Sequence, residues 1–207
     1  RYLKIDRDEL YKYSGVSTML DRYLIKDSDK RPLETPQYFW MRIAMGCALA
    51  EQTPEGRNAQ AVEFYEIMSA MFYTPSSPTL YHAGLVKPQL SSCFLSTVPD
   101  DLHAIFKEYS DSAQLLKYAG GIGSDWTPVR ATGSLVKKTG VESQGVIPFL
   151  KIANDVTISI NRSGRRRGAA AVYLEYWHLD IEDFMELRKN TGDERRRAHD
   201  LNTAVWV

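Results

Sequence analysis

Cys93, in the run Ser91-Ser92-Cys93-Phe94-Leu95, is the residue on which the chemistry of this chain turns. The stretch around it is β-prone, and three unusual segments follow: Gly120-Gly121-Ile122-Gly123, a Gly/Thr/Lys-rich loop over 131–145, and Asn161-Arg162-Ser163-Gly164-Arg165-Arg166-Arg167-Gly168. Thiols are reductants, glycine-rich backbone lets a phosphate or sugar approach closely, and guanidinium groups are bidentate donors to phosphate or nucleobase oxygens. Together these residue types point to reduction of a phosphorylated substrate. Ser77 and Ser92-Cys93 bracket residues 78–89, expected to be a loop that returns Ser77 to the side of Cys93.

Each of these signals has a plainer reading. The glycine run also serves as an ordinary helix terminator. The arginine-rich segment also reads as a solvated loop, or as a nucleic-acid patch joined by Arg195-Arg196-Arg197, although Asp193-Glu194 partly neutralises the latter. Asp100 stands at a strand-to-helix junction and Arg130 before Ala131-Thr132-Gly133-Ser134; the two suit the ribose and phosphates of a second nucleotide, but Asp100 alone is most simply a helix cap. His178, in Tyr176-Trp177-His178-Leu179-Asp180, has no Ser or Cys spaced to form a triad and is read as structural. Cys47 falls on the apolar face of a helix and is read as a core residue.

The elements that must position these groups change character along the chain. Pro36 opens a helix predicted over 36–51, with Phe39, Ile43, Cys47 and Ala50 on one face. A second is predicted over 57–73, with Ala61, Phe64, Met68, Met71 and Phe72 inward. After Thr74-Pro75-Ser76-Ser77-Pro78, strands alternate with amphipathic helices: a strand at 90–98, a helix at 101–119, a helix at 146–159, a strand at 169–175, a helix at 179–189 and a last strand at 202–207. Such alternation means parallel pairing with helices outside, in an open sheet or a barrel. The division expected is 1–75 helical and 76–207 α/β.

The 26 Lys and Arg balance the 26 Asp and Glu, which argues against binding to nucleic acid or a membrane surface by bulk charge. No apolar run approaches the roughly 20 residues of a membrane span, and Arg1-Tyr2-Leu3-Lys4-Ile5-Asp6 does not resemble a secretory signal, so a cytoplasmic setting is expected. Two distant cysteines without a CxxC give neither a disulfide framework nor a zinc site. The terminal strand has no closing turn, and a fragment is expected.

Ser77-Pro78-Thr79-Leu80, Ala83-Gly84, Ser91-Ser92-Cys93, Gly120-Gly121-Ile122-Gly123, Arg130-Ala131-Thr132-Gly133-Ser134, Arg166 to Gly168, Trp177-His178-Leu179-Asp180 and Asn190-Thr191-Gly192 occur in an order that resembles the large subunit of class I ribonucleotide reductase. The resemblance runs from about Thr35 to Val207. It implies an α/β fold: an N-terminal helical domain followed by the first part of a ten-stranded α/β barrel, incomplete in this chain. It implies that Cys93 gives a reducing equivalent to the ribose 2′ carbon of a ribonucleoside diphosphate and ends in a disulfide with another cysteine. Ser77, Ser92 and Gly121 match positions that hold substrate. Asp100, Leu102, Arg130, Ser134, Val136 and Lys137 match the effector site for a deoxynucleoside triphosphate or ATP, and Asn161, Arg165 and Arg166 the loop that relays effector identity. The helices near 101–119 and 146–159 are implied to pair across a two-fold axis in a homodimer.

The same resemblance implies a radical mechanism, with a metal-radical centre supplied in trans by a small subunit, no cofactor held by this chain, and a thioredoxin- or glutaredoxin-type reductant. The radical cysteine with its assisting Asn and Glu, the disulfide partner of Cys93, the relay tyrosines, the C-terminal CxxC and the ATP-cone have no counterparts here, so a complementary C-terminal large-subunit fragment is expected to complete the site. Two alternatives stand beside this: a deoxynucleotide-sensing module without catalysis, and the cobalamin-dependent class, which Tyr173-Leu174-Glu175 with Trp177-His178-Leu179-Asp180-Ile181 fits less well.

Overall fold

In the computed structural model, which describes residues 2–118, 120–136, 139–160 and 168–207, the first ninety residues are helical for reasons visible at the helix starts. A short helix α1 (Tyr13–Thr18) runs into a π-helical turn at Met19–Tyr23. Pro36 and Pro54 open α2 (Pro36–Cys47) and α3 (Pro54–Ser69), where a missing N–H costs nothing and the fixed φ is already helical. Thr53 caps α3, its Oγ1 accepting from the Gly56 N–H at 3.0 Å. Phe39, Trp40, Ile43 and Ala44 of α2 meet Tyr65 and Met68 of α3 in one buried cluster. The Tyr65 hydroxyl donates to Gln37 Oε1 at 2.7 Å, so these two buried side chains partner each other.

Helix α3 ends at Ser69, earlier than its apolar pattern predicts. Met71 takes a left-handed φ of 66° and the Phe72 N–H closes on the Ile67 carbonyl at 3.1 Å. Met71 and Phe72 are therefore exposed rather than inward.

The chain divides into two compact units, Arg1–Ser92 and Cys93–Val207. The change in sequence style at 75/76 precedes this division because residues 77–82 are not loop. They form α4 (Ser77–His82), whose Leu80, with Ala83 just beyond it, is buried in the helical core. Pro78 near the helix start and buried Thr79 suit that role.

In the second unit, β1 (Cys93–Thr97), α5 (Leu102–Lys117) and β2 (Gly121–Asp125) form a parallel crossover. A hairpin of β3 (Thr132–Leu135) and β4 (Glu142–Gln144) follows, then α6 (Ile147–Ile160), β5 (Ala169–Glu175), α7 (Ile181–Glu186) and β6 (Asn202–Trp206). The sheet order is β1-β2-β5-β6, parallel throughout, as the strand-helix alternation predicts. Ala170, Val172 and Leu174 of β5 pack with Ile105 and Tyr109 of α5, Ile147 and Leu150 of α6, and Phe184 of α7. The Tyr109 hydroxyl donates to the Phe149 carbonyl at 2.8 Å and joins α5 to α6; burial pushes its pKa upward. A helical unit followed by a parallel α/β segment is the architecture expected.

Candidate functional site

Because strand side chains alternate, the sheet has one face committed to helices and one that is not. On the committed face the polar side chains are satisfied: the Ser96 hydroxyl donates to Glu108 Oε1 at 2.9 Å, and Ser124 Oγ accepts from the Trp126 indole at 3.1 Å. Cys93 begins β1 on the other face and is exposed. Register sets Cys93, Gly121 and Ala169 in one row across three strands, and Leu95, Gly123, Ala171 and Asn202 in the row two residues on. The floor beside the thiol is thus glycine and alanine. A cavity of about 210 Å³ opens there, lined by Cys93, Gly121, Ala169 and Asn202 among others. A second, of about 390 Å³, shares Leu95, Gly123 and Tyr173 with it and continues toward Asp125 and Trp206.

The glycine run is both things its sequence permits. The Gly120 N–H closes α5 on the Leu115 carbonyl at 3.1 Å, and Gly121 starts a strand rather than a turn. Gly123 has a steric reason: an added Cβ would lie 2.7 Å from Leu95 Cδ2 and 3.0 Å from Tyr173 Cε2, whose side chains lean over it.

Ser77 is the first residue of α4, its Oγ 3.3 Å from the Tyr23 hydroxyl, and it belongs to the helical unit. The expected 78–89 loop is replaced in its first part by that helix. Ser92 is half-buried at the junction preceding β1. Asn161, Arg165 and Arg166 lie outside the described residues, as does Lys137. The segment that carries those arginines joins α6 to Ala169, the residue in register with Gly121 and, through it, with Cys93.

Asp100, Leu102, Arg130, Ser134 and Val136 fall around the hairpin and the start of α5. Asp100 does not cap the helix. Asp101 does, accepting from the Ala104 N–H at 2.9 Å, because it is the residue directly before the first helical position. Asp100 instead takes the Arg130 guanidinium, Nε to Oδ2 at 2.8 Å, and Arg130 Nη1 reaches the Leu135 carbonyl at 3.4 Å. Ser134 is on β3, its N–H donating to the Ala131 carbonyl at 3.2 Å, and the Val136 N–H donates to the Val141 carbonyl at 2.8 Å. Leu102, Leu135 and Val141 are exposed along this region.

His178 is buried and structural. Its Nε2–H donates to the Val129 carbonyl at 2.8 Å while Nδ1 accepts from the Asp180 N–H at 3.1 Å, a pair of partners that fixes the neutral tautomer. Cys47 is half-buried against an apolar cavity of about 570 Å³ in the helical unit, and burial raises its thiol pKa. The strand β2, the hairpin, and the open-face residues Tyr173, Asn202 and Trp206 escape sequence reasoning. The alternation of Ala170, Val172 and Leu174 with Ala171 and Tyr173 is the signal that marks the latter face.

An exposed thiol thus lies on the small-residue floor of a parallel α/β sheet, and the same unit carries a separate hairpin braced by an ion pair. The all-alpha domain model of ribonucleotide reductase matches residues 9–88, and the barrel domain model matches 91–207. The chain is 56% identical over 205 residues to the ribonucleoside-diphosphate reductase subunit alpha of Chlamydia muridarum, covering 99% of this chain and 19% of that one. The Helicobacter pylori subunit alpha is 50% identical over 205 residues, 99% and 26% covered, and the Caenorhabditis elegans large subunit 41% over 204, 98% and 25% covered. The chain belongs to the ribonucleotide reductase family and spans about a fifth to a quarter of the length of these relatives.

Proposed function

We propose that this chain is the helical domain and first barrel segment of a class I large subunit that reduces ribonucleoside diphosphates to 2′-deoxyribonucleoside diphosphates. The observation that carries the reading is the row Cys93–Gly121–Ala169, an exposed thiol flanked by the two smallest residue types, with a cavity directly above. Two thiols, Cys93 and one from the remainder of the subunit, give two electrons and two protons. The 2′ C–O bond breaks, its oxygen leaves as water, the 2′ carbon gains hydrogen and the sulfurs join as a disulfide. Radical initiation comes from a small-subunit metal-radical centre, and re-reduction from a thioredoxin- or glutaredoxin-type dithiol.

Ser77, Ser92 and Gly121 are proposed to hold the substrate diphosphate and ribose. Asp100, Leu102, Arg130, Ser134, Val136 and Lys137 are proposed as the effector site for a deoxynucleoside triphosphate or ATP, in a homodimer formed through the α5 and α6 helices. Asn161, Arg165 and Arg166 are proposed to carry effector identity to the substrate base. The exposure of Leu102 and Phe106 on α5 and Ile152 on α6 supports an interface there.

The test is Cys93→Ser in the complete large subunit with its small subunit. Dithiol-driven turnover is expected to disappear while binding of a deoxynucleoside triphosphate persists. Retained multiple turnover removes Cys93 from the chemistry.

A further inference from the structure

The hairpin that carries the proposed effector site is held at both of its feet by one buried carboxylate. Asp180 is 4% exposed. Its Oδ1 accepts from the Thr132 N–H at 3.0 Å, at the first residue of β3, and its Oδ2 accepts from the Val146 N–H at 2.9 Å, two residues past the end of β4. Thr132 is also 3.2 Å from Oδ2, so the carboxylate spans the two amides as a fork.

Asp180 occupies the cap position of α7, where an aspartate ordinarily accepts from the helix's own first amides. It makes no such bond. The side chain has been turned away from its local partner toward a segment more than thirty residues distant in sequence.

Two neighbours enforce that choice. Gly145 has a φ of +74°, and an added Cβ would overlap Asp180 Oδ2 and Thr132 Oγ1, so only glycine lets β4 come this close. Behind it, the Asp180 N–H is fixed on His178 Nδ1, and His178 Nε2 on the Val129 carbonyl, so backbone just before the hairpin is tied to the same turn. A strut between Thr132 Oγ1 and the Gln144 carbonyl at 3.2 Å completes the base.

We infer that Asp180 is a positioning residue for the effector hairpin: its carboxylate, withdrawn from capping α7, clamps the amides of Thr132 and Val146 and so sets the spacing of the loop that Arg130 and Asp100 brace from the other side. The inference rests on the proposed effector site for its consequence, and on the hydrogen bonds alone for the clamp. An amide in place of the carboxylate supplies one acceptor oxygen and turns an N–H₂ toward one of the two backbone donors, leaving a buried donor unsatisfied.

The experiment compares the intact protein with Asp180→Asn by two measurements. In hydrogen exchange without nucleotide, amides of 132–146 are expected to exchange about tenfold faster while those of α5 and β5 keep their wild-type rates; unchanged exchange in the hairpin, or acceleration spread evenly over the second unit, overturns the clamp. In the complete enzyme, the Kd for a deoxynucleoside triphosphate is expected to rise about tenfold with effector-free turnover unaltered. A parallel fall in effector-free turnover and melting temperature would mean that Asp180 merely supports the fold. If Asp180→Asn does not fold, Asp180→Glu decides. It keeps the charge but moves both acceptor oxygens off the Thr132 and Val146 amides by one methylene, and is expected to raise hairpin exchange and effector Kd by about threefold; no change in either overturns the proposal. A wild-type enzyme that binds no deoxynucleoside triphosphate sinks the effector reading instead, and the exchange measurement still judges the clamp.

Discussion

The two faces of the β1-β2-β5-β6 sheet are built from the same strands and have opposite fates. Toward the helices, Ile122, Ala170, Val172 and Leu174 are buried in a core that α5, α6 and α7 complete. One residue along, Cys93, Leu95, Thr97 and Trp206 are exposed, and Gly121, Gly123, Ala169 and Ala171 leave room between them. Buried and open positions are therefore separated by the period of the strand, and a slip of one residue would exchange them. The thiol sits exposed on the open face, at the edge of a cavity.

Leucine truncation on either face tests this contrast most severely. Leu174→Ala, at a site with no exposure, is expected to cost about 2–5 kcal/mol, the transfer term plus the cavity left among Phe184 and its neighbours. Leu95→Ala, at 83% exposure on β1 of the same sheet, is expected to stay within about 0.5 kcal/mol. Denaturant midpoints of the two variants check the pair, and equal losses would mean that the open face is packed as firmly as the other.

A smaller and more local effect is expected from Gly123→Ala. The new methyl meets the end of the exposed Leu95 side chain, which can turn aside, and the edge of Tyr173, so the fold tolerates it while the floor between the two cavities rises. Substrate KM is expected to increase by roughly tenfold with the melting temperature nearly unchanged. Calorimetry alongside steady-state kinetics separates the two quantities, and a normal KM would move substrate away from the Gly123 row.

The packed face was largely legible in sequence, because β5 and the stripes on α5 and α6 keep strict periodicity. The open face was legible at Cys93 and not beyond it. Gly121 and Gly123 resemble a turn in composition, and only pairing with β1 on one side and β5 on the other makes them a strand. The Asp180 clamp was hidden for a related reason: an aspartate before a short helix reads as a cap, and its true partners lie 34 and 48 residues away in sequence. Asp100 misled in the same way, since its neighbour Asp101 takes the cap and frees it for Arg130.

The helical unit differs from the sheet unit in placing a charge cluster between its first turn and α3, and this gives the smallest effect. Glu66 accepts from Lys4 Nζ at 2.9 Å and Arg7 Nη2 at 2.6 Å. The hydrogen bond from Lys4 is the largest influence and, with the hydrogen bond and charge of Arg7, holds its carboxyl below the ordinary range against the opposing effect of burial. A carboxylate with a lowered folded-state pKa adds stability at pH values above its unfolded pKa, and that addition is lost as the pH falls through the folded value. Glu66 is 37% exposed and Lys4 47%, so solvent screening limits the pair to less than about 1 kcal/mol. Glu66→Gln is expected to lower the melting temperature slightly at neutral pH and to melt with the wild type once the medium is well below the carboxylate range. Melting curves across that range check the sign. A gap that widens on acidification would show that the contribution of Glu66 is not ionic, and that the ties holding the first turn to α3 come from the Tyr65 hydroxyl, which accepts the Lys4 N–H at 2.8 Å, instead.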